Sequence, residues 1–132
     1  FNTVSGTTTS NLQFTNNGIA NLNTGLTGNV TTTADNKGTL NLVGSNNQTV
    51  TGTVGGVGAS LSEVNAGVTG TTSTFNSNVY ASNLNMTGTG TVILNSDLTG
   101  NVVTTGNNQG ILTTTGLNKT ITGNIGSSTS LD

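Results

Sequence analysis

The stretch LTGNV occupies residues 26–30 and returns unchanged at residues 98–102, seventy-two residues later. Two close variants, VTGTV at 50–54 and ITGNI at 121–125, follow the two copies by 24 and 23 residues. A repeat of about 20 to 25 residues built from β-forming side chains is typical of a solenoid, in which each repeat makes one turn. The sequence therefore predicts a coil of stacked β-strands.

Alternation within each motif separates two kinds of side chain. The first, third and fifth residues share one face of a strand, because successive side chains point to opposite sides. We predict that these positions face inward, with glycine where the chain bends or the coil is narrow. The predicted repeat core consists of Leu26, Gly28, Val30, Val50, Gly52, Val54, Leu98, Gly100, Val102, Ile121, Gly123 and Ile125.

A longer repeat surrounds the motifs. Residues 12–44 align with residues 84–116 without a gap, and 16 of these 33 positions are identical. We therefore divide the chain into repeat copies at about 10–81 and 82–132, the second of them incomplete. On this alignment, Leu98 and Val102 should occupy the same inward positions as Leu26 and Val30.

These patterns predict one all-β domain over residues 1–132, a parallel β-helix (solenoid) with rungs of about 24 residues and a 72-residue long repeat. Each turn would stack about 4.8 Å from the last. An antiparallel sandwich is the alternative, because the same alternation permits it. Residues 55–83 should form a third rung of the unit, and their irregular alternation predicts an insertion or a bulge.

The composition narrows the possible partners. Only 5% of the residues are charged, and Lys37 and Lys119 are the only cations. Nucleic-acid binding requires clustered basic residues. No apolar run approaches the roughly 20 residues of a transmembrane helix. We therefore expect no nucleic-acid partner and no direct membrane insertion of this segment.

Few residues could perform catalysis or bind a metal. The chain has no histidine or cysteine, and its carboxylates are Asp35, Glu63, Asp97 and Asp132. A glycosidase could use Asp35 and Asp97 as a pair, but the two occupy different positions of the repeat, as solvated turn residues would. We therefore predict no enzyme activity, no catalytic residue and no cofactor.

Two further patterns suggest ligands only weakly. The run GGVGAS at 55–60 is similar to a calcium-binding nonapeptide, but Ser60 stands where the ligand aspartate is required. Thr-x-Thr pairs resemble the ice-binding face of some antifreeze proteins, yet the 30 threonines produce nearly as many pairs by chance. We predict no metal site, and we attribute the threonines to β-propensity.

The segments LTGNVTTTADNKGTLNLVGSNNQTVTGTVGG (26–56) and LTGNVVTTGNNQGILTTTGLNKTITGNIG (98–126) resemble bacterial autotransporter passengers. More narrowly, they are similar to the rickettsial surface antigens, outer membrane proteins A and B. The resemblance implies a right-handed β-helix displayed outside the outer membrane. It also implies adhesion to host cells or formation of a surface coat, and it assigns no site residue.

We accordingly expect a non-enzymatic, extracellular segment of a bacterial cell-surface protein, acting in adhesion or as a stalk. Its partners would be a host-cell surface receptor or copies of itself. The alternative is a self-assembling filament or coat subunit, in which the open ends of the coil pair between molecules.

Overall fold

The computed structural model describes residues 2–4, 10–126 and 129–132, with only the backbone described at 2–4. The described residues form thirteen β-strands and no helix. The strands are β1 (Asn2–Val4), β2 (Leu12–Phe14), β3 (Ile19–Leu22), β4 (Val30–Thr32), β5 (Thr39–Leu42), β6 (Gln48–Val50), β7 (Leu61–Ala66), β8 (Thr72–Phe75), β9 (Val79–Met86), β10 (Thr91–Leu94), β11 (Leu98–Thr104), β12 (Ile111–Thr114) and β13 (Ile121–Thr122).

Every pair of neighbouring strands runs parallel. The sheets have seven strands (β1-β3-β5-β7-β9-β11-β13), four strands (β6-β8-β10-β12) and two strands (β2-β4). Because sheet neighbours come from successive turns, the fold is a parallel β-solenoid of about six turns, roughly 20 residues apart. The predicted parallel coil is confirmed, and the antiparallel sandwich is wrong.

Inward side chains stack in columns, each formed by residues that pair from one turn to the next. We call three of them columns A, B and C. Column A contains Leu26, Val50, Phe75, Leu94 and Thr114. Column B contains Leu12, Val30, Val54, Val79, Leu98 and Ile121. Column C contains Ala20, Leu40, Val64, Leu84, Val102 and Ile125. The middle members of each column are at most 2% exposed, so the columns form one continuous core.

The two LTGNV copies lie in different columns, which corrects the expected equivalence. Leu26 is in column A, whereas Leu98 is in column B with Val30. Val102 moves likewise to column C. Three turns from Leu26 end at Leu94, so a step of seventy-two residues carries the motif four residues further along the coil. All four motif ends are buried, but the second copy is displaced by one column.

Unequal turns cause this displacement. Residues paired between adjacent turns are 18 apart at Leu12 and Val30 but 25 apart at Gln48 and Ser73. Most of the difference lies between columns C and A, where 11 residues run from Val64 to Phe75 but only six from Ala20 to Leu26. A smaller part lies at the 55–60 loop, within the region where the sequence predicts an insertion. Gly56 and Ala59 exchange backbone hydrogen bonds of 3.0 and 3.1 Å there, and the loop tip projects from the coil before β7 begins.

Candidate functional site

The glycine of each motif marks a corner where adjacent turns approach closely. A Cβ atom built on Gly28, Gly52, Gly100 or Gly123 would lie 2.8, 2.3, 1.8 or 2.2 Å from a carbonyl oxygen of the preceding turn. Three of these glycines also have φ between 142° and 150°. Glycine is therefore required by backbone contact, and LTGNV is a corner module that the coil uses at two different corners.

The asparagine of the module bonds to the following turn. Asn29 Oδ1 accepts a 2.9 Å hydrogen bond from the backbone N–H of Thr53. At the other corner, Asn101 Oδ1 accepts a 3.0 Å bond from the backbone N–H of Asn124. The same side-chain role thus accompanies the same motif in both places, which explains why the sequence conserves Asn between its two copies.

The twelve predicted core residues differ in burial. The aliphatic residues of the first three motifs are buried, namely Leu26, Val30, Val50, Val54, Leu98 and Val102. In the last motif, Ile121 is half-buried and Ile125 is 54% exposed, because no described turn stacks over them. Gly28, Gly52 and Gly100 are half-buried, and Gly123 is exposed.

An asparagine ladder crosses the outer face of the seven-stranded sheet. It consists of Asn21, Asn41, Asn65 and Asn85, which are joined in sequence by amide hydrogen bonds of 2.8, 2.7 and 2.7 Å. All four side chains are half-buried. Alternation along each strand turns these asparagines outward, and the register of the turns aligns them into a ladder.

The outer face of the four-stranded sheet is rich in threonine. One outward row contains Thr49, Thr74, Ile93 and Thr113, and the next contains Thr72, Thr91 and Ile111. Ile93 interrupts the first row and Ile111 ends the second, so this face is not a regular threonine lattice.

The two carboxylates considered as a glycosidase pair, Asp35 and Asp97, form hydrogen bonds to different turns of the coil. Asp35 Oδ1 accepts hydrogen bonds from the hydroxyl and the backbone N–H of Ser60, the latter at 2.9 Å, and both bonds lower the pKa of Asp35, the hydroxyl more strongly. Asp97 Oδ1 accepts a 2.9 Å bond from the backbone N–H of Thr120. Each carboxylate therefore caps the turn above it. Among the described residues, no three His, Cys, Asp or Glu side chains cluster as a metal site would require.

A cleft of about 310 Å³ opens between the 55–60 loop and the outer faces of β9 and β11. Asp35, Ser60, Tyr80 and Thr99 line it together with Gly56, Val57 and Gly58. Sequence reasoning missed this site. Two features of the sequence could have indicated this cleft: the irregular alternation at 55–83, and the position of the chain's single tyrosine within that region.

No helix among the described residues is long and apolar enough to cross a membrane. Comparison with known proteins found no matching family model, no similar curated protein and no similar solved structure.

Proposed function

We propose that the chain is a non-enzymatic, extracellular segment of a bacterial cell-surface protein, similar to an autotransporter passenger, that acts as a stalk or in adhesion to host cells. The observation that carries this proposal is the solenoid itself. Its turns stack in parallel around one narrow core, so added turns lengthen the molecule without enlarging its cross-section.

The surface of the coil suits an exposed extracellular setting. Its outer faces present Asn, Thr and Ser side chains, and the net charge is only −2. Many of these side chains bond to a neighbouring turn, as the asparagine ladder does, so the surface is both neutral and ordered. Backbone that is hydrogen-bonded from turn to turn resists proteolysis, which acts on locally opened segments. The motif resemblance at 26–56 and 98–126 directs the proposal to autotransporters.

The test is attachment of the fluorescently labelled chain to cultured epithelial cells. We expect saturable binding that unlabelled chain displaces, and survival of the chain under protease concentrations that digest a globular control. A matched control is the Leu98→Asp variant, which places a carboxylate in the buried core and should abolish both properties. Non-saturable attachment equal to that of the control would refute an adhesive role, and rapid digestion would refute the stalk.

A second candidate is self-assembly into a filament or coat. Its supporting observation is the last described turn, where β12 and β13 present unpaired sheet edges and Ile125 is 54% exposed. Parallel edges with exposed apolar residues can pair with another copy. Light scattering and electron microscopy over a concentration series test this candidate. It predicts fibres that grow without any partner, and a monomer at all concentrations would contradict it.

A further inference from the structure

We propose that the cleft beneath the 55–60 loop binds one saccharide unit through Tyr80, Asp35 and the hydroxyls of Ser60 and Thr99. This inference rests on the proposed adhesive function and names a class of partner for it. The cleft has a volume of about 310 Å³, which is at the lower end of the range for small-molecule sites and suits a single sugar ring.

Tyr80 supplies an aromatic surface held in a fixed position. Its backbone N–H donates a 2.7 Å bond to Val54, and its hydroxyl accepts a 3.3 Å bond from Asn78 Nδ2. Asn78 is fixed in turn by the backbone N–H of Asp97, at 3.3 Å. One face of a sugar ring carries C–H groups that pack on an aromatic ring, and a ring already in place loses little freedom on binding.

Asp35 supplies an acceptor for sugar hydroxyls. Both hydrogen bonds that Ser60 donates to Asp35 end on Oδ1, so Oδ2 can accept from a ligand. The ordinary pKa of 3.8 already leaves the Asp35 carboxylate ionised at neutral pH, and these bonds lower the pKa further. Hydrogen bonds to an ionised acceptor are roughly twice as strong as neutral ones.

The fold does not require glycine at position 56, which lines the cleft. Its φ is not positive, and a Cβ built on it would meet no atom of the chain within 4 Å. By contrast, Gly55 has φ 68° and a built Cβ would lie 2.3 Å from the carbonyl oxygen of Tyr80. Gly55 is thus fixed by the fold, whereas Gly56 lines the cleft at a place where a side chain would meet open space.

The remaining lining residues favour a neutral polyol. Apart from Asp35, the polar side chains of the cleft are the uncharged hydroxyls of Ser60, Tyr80 and Thr99. Val57, at the tip of the loop, is 87% exposed and adds an apolar side chain to the lining of the cleft. A mixture of one aromatic ring, one carboxylate and several hydroxyls matches the alternating C–H and O–H groups of a sugar.

The chain reports on this cleft directly, because Tyr80 is its only tyrosine and it has no tryptophan. We would titrate glucose, galactose, mannose and N-acetylglucosamine separately, and follow tyrosine fluorescence together with amide NMR shifts. We expect saturation by at least one sugar with a Kd of about 1 mM, the affinity of about 4 kcal/mol that a few contacts can supply. The largest shifts should lie at 56–60 and around Tyr80 and Thr99.

Three variants and one control locate the site. Asp35→Asn should weaken sugar binding about tenfold. Tyr80→Leu should weaken it about fivefold, measured by NMR because this variant has no tyrosine. Gly56→Val should abolish binding and leave the melting temperature unchanged. Asp97→Asn is the matched control, because Asp97 also accepts a backbone N–H of the next turn but lies outside the cleft. This control should bind like the original chain.

No saturation by any of the four sugars would overturn the proposal, as would binding that survives both Asp35→Asn and Gly56→Val. Saturation by n-butylamine alone would assign the cleft to cations and would overturn it too. Sugar binding without attachment to cells would refute the adhesive role but leave this site standing. If Asp35→Asn and Gly56→Val both attach to cells as well as the original chain does, the adhesive role stands but this cleft is not what carries it.

Discussion

Replacing Gly100 with alanine should strongly destabilise the coil, because two costs add at this corner. Gly100 has φ 142°, a conformation that costs other residues about 1–3 kcal/mol. A new Cβ would also lie 1.8 Å from the carbonyl oxygen of Ala81, so β9 and β11 would have to separate there. Losing about two of their hydrogen bonds costs about 2 kcal/mol more.

The total of about 3–5 kcal/mol is a large part of the 5–15 kcal/mol typical of a domain. Urea unfolding followed by circular dichroism measures it as a lower transition midpoint. Gly56→Ala is the matched control, since nothing lies within 4 Å of its built Cβ, and it should change the stability by less than about 1 kcal/mol. If the two variants unfold at the same urea concentration, the turns do not approach each other at Gly100 as described.

Four other predictions concern the core, the ladder and the solvent. Leu98→Asp should cost several kcal/mol, because it buries an unpaired carboxylate; an unchanged melting temperature would show that Leu98 is not inside. Asn65→Ala removes both 2.7 Å links to Asn41 and Asn85 and should cost about 1–3 kcal/mol in urea unfolding, whereas no loss would mean the ladder is only incidental. The melting temperature should not change between about pH 5 and 8, because the chain has no histidine to titrate in this range. Because the folded-state pKa of Asp35 is lowered, its stabilisation is present above the ordinary value of 3.8 and disappears as the pH falls below it; a decline already at pH 6 would contradict this. Addition of EDTA should leave the melting temperature unchanged, and a large drop would reveal a calcium site.

The sequence predicted the class of fold because its signals are local. Alternation in the motifs identified inward positions such as Leu26 and Val30, and the spacing of the motifs indicated stacked turns. Alternation depends only on neighbouring residues and the strand period of two, and the spacing of the motifs can be read directly along the chain. The need for glycine at Gly100 could also be predicted from the sequence, because glycine occupies the third position of all four motifs.

The placement of the second copy could not be predicted, because it depends on turn lengths summed around the coil. Val102 reaches column C since the coil needs ten residues from Val54 to Val64 but only four from Leu98 to Val102. The cleft was missed for a related reason. Asp35 and Tyr80 are distant in sequence, and only stacking of their turns brings them to one site.

Methyl-labelled NMR can test whether LTGNV is a corner module used at two corners. Val102 pairs with Leu84 in column C, so their methyl groups should show a strong nuclear Overhauser effect. If the two LTGNV copies were instead equivalent, Val102 would take the place of Val30 in column B, above Val79. A strong effect between Val102 and Leu84, with none between Val102 and Val79, is the predicted result. A strong effect to Val79 with none to Leu84 would contradict it.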